Sequence, residues 1–205
     1  MATEKSARER LLKTATALLA RSGYRDLGVT ELLESSQVTA GSLYHHFPGG
    51  KEELAATAIR DFGNARRAVL DQLLAENEPA DAIRGMFDMA TAGIERSRWR
   101  LGCPVGTPAG EVSNVGELVA RAIRESFDLW IEVLAAAMTD RGVAMDEAAR
   151  LAAWCIASYE GAVLLCRAQR DTTVMTDAAN RVVRDIEAAS AAQQQPDGRL
   201  TLGWR

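Results

Sequence analysis

Apolar residues recur along this chain at helical spacing, and long stretches rich in Ala, Leu, Glu and Arg with only five prolines favour helix over sheet almost throughout. The most informative stretch is Val29 to Leu54. Val29, Leu32 and Leu33 repeat at helical spacing, and the polar run Glu34, Ser35, Ser36, Gln37 that follows suits a helix end and turn. Thr39 then supplies an N-cap hydroxyl for a second, short helix. In that helix Leu43 and Phe47 point inward, which leaves Thr39, Ala40, Gly41, Ser42, His45 and His46 largely outward. An outward face that is small or hydrogen-bonding suits a helix that reads a DNA groove.

Beyond this unit the pattern predicts a helix from Lys51 to about Asn77, with Gly63 as a tolerable interruption, and another from Pro79 to about Arg96. Arg98 to Gly110, RWRLGCPVGTPAG, breaks the periodicity with its glycines and prolines. Further helices are predicted over Glu117–Arg141, with Gly142 suited to its C-terminal cap, over Asp146 to about Arg170, and over Thr176 to about Ala191. The tail AQQQPDGRLTLGWR is polar and reads as loosely held. No internal repeat is evident. The expected fold is all-α, a helix-turn-helix unit in residues 1–50 followed by a helical domain in residues 51–205.

The first sixty or so residues resemble the DNA-binding domain of TetR-family transcriptional repressors. The resemblance is carried by Arg8 to Leu12, Ala15, Leu18, Leu19, Gly23-Tyr24, Val29, Leu32 and Val38-Thr39, and above all by Gly41-Ser42-Leu43-Tyr44-His45-His46-Phe47 followed by Lys51-Glu52-Glu53-Leu54. The chain departs from the family pattern at three places. Gly28 stands where the family has a Ser or Thr cap, Gln37 where it has the turn glycine, and the Pro48-Gly49-Gly50 link is one residue longer. The first costs little, since glycine is an acceptable N-cap. The second implies backbone strain or a different turn. Carried over position by position, the resemblance implies that Tyr44 and Lys51 contact phosphate, that Thr39, Ala40, Gly41, Ser42 and His45 lie nearest the bases, and that His46 does either. Gly102-Cys103-Pro104-Val105, together with the longer link, resembles the LmrA/YxaF-like branch, whose members answer to small lipophilic or aromatic compounds.

Composition fits a small domain plus a medium one: 205 residues, 47% of them hydrophobic, give ample material for a core. No run of eighteen apolar residues appears and the start has no apolar signal segment, so a soluble, cytoplasmic protein without a membrane partner is expected. Cys103, Cys155 and Cys166 are an odd set unlike a disulfide framework, and reduced thiols are the default. The net charge of −4 is unusual for a DNA binder until it is divided. Residues 1–62 carry eight Lys and Arg against eight Asp and Glu, so that segment is neutral and the rest holds the acidic excess. A neutral module still binds DNA if its cations and helix N-termini face the phosphates, with modest and salt-dependent affinity that dimerisation must supplement.

Two helices carry an oligomer signal. Ala149, Ala153, Ala157 and Gly161 recur every four residues as a smooth ridge, continued by Leu164, Leu165 and Ala168; Ala179, Val182, Val183 and Ile186 form a stripe on the next helix. Pattern alone leaves both as either monomer core or interface. The resemblance favours a homodimer, because TetR-like proteins pair through a four-helix bundle of their last two long helices, with the ridge set against Val182, Val183 and Ile186. Aromatics suggest a pocket: Phe127 and Trp130 on one helix face, Phe87 and Trp99 from the preceding segment, Trp154 and Tyr159 as a third wall, and Cys103 beside them. Each is equally a core residue by type.

An enzyme finds little chemistry here. His45 and His46 are the only histidines, which leaves the second domain without an imidazole base or metal ligand. Gly102, Gly106 and Gly110 are not followed by the Gly-Lys-Ser/Thr of a phosphate loop. Cys103 is either a thiol activated by a helix N-terminus or a buried small residue, and the usual burial of free cysteine favours the second. No cofactor and no metal are called for. The expected function is a ligand-responsive transcriptional repressor that binds palindromic operator DNA as a homodimer. The alternatives are a helical small-molecule-binding or scaffolding protein that no longer binds DNA, and a thiol-dependent enzyme or redox sensor centred on Cys103.

Overall fold

The structure, a computed structural model, describes residues 6–194; the last part of the polar tail, 195–205, lies outside them. Within that span the chain forms α1 (Ala7–Ser22), α2 (Val29–Ser36), α3 (Ala40–His46), α4 (Gly50–Glu76), α5 (Pro79–Arg96), α6 (Gly106–Ala109), a 3₁₀ turn (Val112–Asn114), α7 (Glu117–Thr139), α8 (Met145–Gln169) and α9 (Thr173–Gln194). No strand occurs among the described residues. The expected helices are all present. Gly142 takes a φ of 91° two residues beyond the cap of α7, the left-handed turn that lets the chain double back into α8.

Helix α1 begins with a capping box, in which the Ser6 N–H donates to Glu9 Oε2 at 3.0 Å and the Glu9 N–H donates to Ser6 Oγ at 3.3 Å. Its buried stripe Leu11, Ala15, Leu18 and Leu19 packs on α2, α3 and the start of α4, with Leu32, Leu43, Phe47 and Leu54 filling the same core. The second domain is layered: α4 lies along α7, α7 along α8, α8 along α9, and α9 closes back on α5.

Gly63 is more than a tolerated interruption of α4. A Cβ there would lie 2.5 Å from Ser126 Oγ and 3.0 Å from Ser126 Cβ, so the missing side chain is what lets α4 and α7 touch. At the same level the Trp130 indole N–H donates to the Gly63 carbonyl at 2.9 Å, and Trp130 is buried with its ring edge toward Phe62 and Phe127. A buried indole needs such a partner.

Two apolar stripes of the last helices differ in what they face. Val182, Val183 and Ile186 are at most 3% exposed within the single chain, so they are its own core and not half of an interface; they close α9 onto α5 and α8. The α8 ridge points the other way. Ala149, Ala153, Ala157 and Gly161 are exposed, flanked by Trp154 at 51%, Leu164 at 64% and Leu165 at 44%, and a Cβ on Gly161 would meet nothing within 4 Å. Among the described residues α8 alone has the length and mean hydropathy, 1.3 over its most apolar window, of a membrane span, but its inner face is packed into the domain through Leu151, Cys155, Ile156 and Val163.

Because the α4–α7 crossing has no room for a side chain, Gly63→Val should lower stability by about 1–3 kcal/mol through overpacking, while Trp130→Phe should lose about 1 kcal/mol with the indole bond. Equilibrium denaturation at matched protein concentration measures both. A Gly63→Val protein as stable as the parent would refute the close crossing.

Candidate DNA-contacting surface and adjoining cavity

Helix α3 is short because each of its ends is fixed locally. Thr39 Oγ1 accepts from the Ser42 N–H at 3.3 Å at the start, and Pro48-Gly49-Gly50 turns the chain at the end. Gly50 sits at φ 65°, where a Cβ would also meet the Tyr44 ring at 3.2 Å, so the long link depends on glycine at that position. Glu53 reaches back to accept from the Gly49 N–H at 2.7 Å and caps α4. Leu43 and Phe47 anchor α3 in the core, with the Arg8 guanidinium 5.5 Å from the Phe47 ring centroid.

What this leaves outward is the face expected from spacing. Thr39, Ala40, Gly41, Tyr44 and His45 are exposed and Ser42 and His46 half-buried, with the two imidazoles edge to face at 5.0 Å. Lys51 stands beside them but is not idle. Its Nζ donates to the Arg25 carbonyl at 3.3 Å and lies 4.5 Å from the Tyr24 ring centroid, so it also pins the α1–α2 turn. Partial burial lowers its pKa, and the charges of Glu111 and Asp26 oppose that shift. The anticipated strain at Gln37 is present. It adopts φ 54°, ψ 46°, and its carbonyl and that of Ser36 accept from the Arg10 guanidinium, the Ser36 bond at 3.1 Å.

A cavity of about 420 Å³ lies between this unit and the rest of the chain. Helix α1 contributes Lys13, Thr16, Ala17 and Ala20, and α4 contributes Phe62 and Arg66. Met89, Gly93 and Ile94 of α5, Leu101 and Cys103 of the irregular segment, and Tyr159 and Val163 of α8 complete it. Of the seven residues anticipated as pocket walls only Cys103 and Tyr159 line it. Phe87 is buried behind Tyr159, edge-on at 5.4 Å. Phe127 and Trp130 belong to the α4–α7 contact, and Trp99 packs half-buried at a left-handed bend with φ 66°. Trp154 is on the outer face of α8, beside Arg181 and Asp185 of α9. Aromatic abundance marked core rather than cavity. The overlooked signal is Ala17 and Ala20, small residues on a second face of α1 where a packed helix carries larger ones.

Cys103 is buried, and burial together with the neighbouring Glu160 carboxylate pushes its thiol well above the ordinary range. Both effects favour the buried small residue over the activated thiol. Glu160 is itself raised to about 7, chiefly by burial and against the pull of the Cys103 hydrogen bond and Arg66.

Comparison with known proteins agrees with this geometry. Residues 11–58 match the model of the bacterial regulatory proteins of the tetR family, and residues 79–181 match the C-terminal domain of LmrA/YxaF-like transcriptional regulators. The chain belongs to the TetR family, in its LmrA/YxaF-like branch. It is 30% identical over 174 residues to the HTH-type transcriptional regulator YxaF of Bacillus subtilis (strain 168), covering 84% of this chain and 91% of that one. LmrA of the same organism is 30% identical over 167 residues, 81% of this chain and 89% of its own. In fold it is similar to a TetR transcriptional regulator from Legionella pneumophila, with a TM-score of 0.82 at 23% identity over 89% of this chain and 98% of that one. This TetR-family chain is a DNA-binding transcriptional regulator, and regulators of the family bind operator DNA and act as dimers.

The left-handed turn before α3 gives a direct test. Gln37→Gly removes the Cβ penalty at φ 54° and should raise the melting temperature, by an amount corresponding to less than about 1 kcal/mol after glycine's unfolded-state entropy is subtracted. A loss of stability would mean that the Gln37 side chain holds the turn.

Proposed function

We propose that the chain is a ligand-responsive repressor: a homodimer that holds a palindromic operator and releases it when a small lipophilic molecule occupies the cavity beside α1. The observation that carries this reading is the cavity's position. Its walls come from α1, which belongs to the DNA-binding unit of residues 1–50, and from α4, α5 and α8 of the ligand-binding and dimerisation domain of residues 51–205. A molecule bound there touches both units at once, so its affinity depends on their relative placement. Recognition helices must lie about one DNA turn, roughly 34–36 Å, apart to engage a palindrome. A ligand that prefers another spacing lowers operator affinity by its differential binding to the two states.

Direct readout is assigned to Thr39, Ala40, Gly41, Ser42 and His45, phosphate contact to Tyr44 and Lys51, and either role to His46. Pairing is assigned to the exposed α8 ridge, supported by the apolar strip of Trp154, Leu164 and Leu165 beside its alanines. The α9 residues on the same outer surface are Arg181, Asp185 and Ala188, which replace the buried valines in this role. The cytoplasm, where operator DNA is found, is the place for such a protein.

Lys51→Ala should weaken binding to all DNA sequences alike and reduce the salt slope by about one. Because Lys51 also ties down Tyr24 and Arg25, the melting temperature is read alongside; unchanged affinity and slope would remove it from the phosphate contacts. Ala157→Arg should place an unpaired charge in the ridge and yield folded monomers by sedimentation. A folded variant that remains dimeric would move the interface off α8.

A further inference from the structure

We infer that the cavity is built for a lipophilic anion, an apolar body carrying one carboxylate-like group, with Lys13 of the DNA-binding unit and Arg66 of α4 as its charge partners. The inference rests on the ligand-responsive reading above and names the ligand's chemistry. The cavity wall is mainly apolar, with Phe62, Met89, Ile94 and Val163 offering a surface for a hydrocarbon or aromatic body. Its charged lining residues are both cations, Lys13 and Arg66, and neither has an ion pair among the described residues. Arg66 is held against the wall by the Phe62 ring, 5.6 Å from the centroid, which leaves its guanidinium edges free.

The remaining polar groups also favour an acceptor-rich ligand. Tyr159 is only 6% exposed, its hydroxyl makes no hydrogen bond within the described residues, and burial raises its pKa, so it stays a protonated donor. Facing the cavity, that hydroxyl is open to donate to a ligand oxygen. Thr16 already donates its hydroxyl to the Leu12 carbonyl at 2.9 Å. Glu160 is not among the lining residues; it is held by Cys103 and by the charge of Arg66, and its Oε1 has no hydrogen-bond partner among the described residues. Two cations and a phenol therefore line a cavity whose wall includes no carboxylate.

The position of Lys13 gives this chemistry a regulatory consequence. The ligand's anionic group would bridge α1 and α4 directly, so recognition of charge and displacement of the DNA-binding unit become the same event.

The test uses the full-length dimer and two matched sets of probes: 2-naphthoate, 2-naphthamide and 2-naphthylmethylammonium, and decanoate, decanamide and decylammonium. Binding is read by saturable tryptophan quenching and by calorimetry. The carboxylate of at least one set should bind about tenfold or more tighter than its amide, with the ammonium weakest. Lys13→Gln and Arg66→Gln should each narrow the carboxylate's advantage over the amide, and Tyr159→Phe should weaken the carboxylate more than the amide. Equal or tighter amide binding, or a carboxylate preference untouched by both charge variants, would overturn the anion assignment. In that case a mobility shift reversed by the amide would leave the ligand-responsive reading standing. No saturable binding by any of the six would overturn the anion assignment and the occupied-cavity reading together.

Discussion

One helix must serve two cores, and most of the architecture follows from that constraint. Helix α4 runs without interruption from Gly50 to Glu76, about 40 Å at 1.5 Å per residue. Its first turns bury Leu54, Ala55, Ala58 and Ile59, and it is packed against α1 as well as along α7. The stretch is held rigid where Gly63 admits α7 to backbone distance and Trp130 seals the crossing with a buried hydrogen bond. A helix so committed at both ends cannot flex independently of either core. Any motion of the second domain would therefore reach the DNA-binding unit through this shared helix.

A second tether runs through the irregular segment, and it explains why so many glycines and prolines are gathered there. The Gly102 N–H donates to the Ala20 carbonyl at 2.8 Å, and the Arg167 guanidinium donates to the carbonyls of Arg21 at 3.1 Å and Arg100 at 3.3 Å. The bonds to Ala20 and Arg21 occupy carbonyls that the end of α1 cannot satisfy within the helix. Just beyond, Glu111 accepts the N–H groups of Tyr24 at 3.1 Å and Arg25 at 2.8 Å. A regular helix could not present its backbone in this way, since its own N–H groups are committed. Arg98 and Trp99, both at positive φ, give the bend that brings the segment under α1.

What could be read from the sequence divides along the range of the interactions. The helices and the outward face of α3 depend on spacing within one element and were legible, and the strain at Gln37 followed from the family resemblance, whereas spacing showed the α8 ridge without showing that it is exposed. The cavity was not, because it forms where α1, α4, α5 and α8 fail to close on one another, a property of packing that no single periodicity encodes. For the same reason Val182, Val183 and Ile186 looked equally suited to an interface and to a core, and it is α5 lying across them that decides. Glu52 was another silent residue. It lies in a charged helix start, yet its carboxylate accepts from the Leu118 N–H at 3.0 Å and caps α7, sixty-six residues away.

The neutral charge of residues 1–62 is best understood together with these tethers. Several of its cations are committed to the protein: Arg21 pairs with Glu31 at 2.6 Å, Arg60 with Glu125 at 2.9 Å, and Lys51 is shared with the Arg25 carbonyl. Exposed pairs of this kind add little stability, but they neutralise cations that would otherwise add to non-specific phosphate attraction. Low non-specific attraction would make binding depend on two correctly spaced recognition helices acting together. A coupling of about 1–3 kcal/mol changes affinity some 5- to 150-fold, the scale that the proposed ligand response would need.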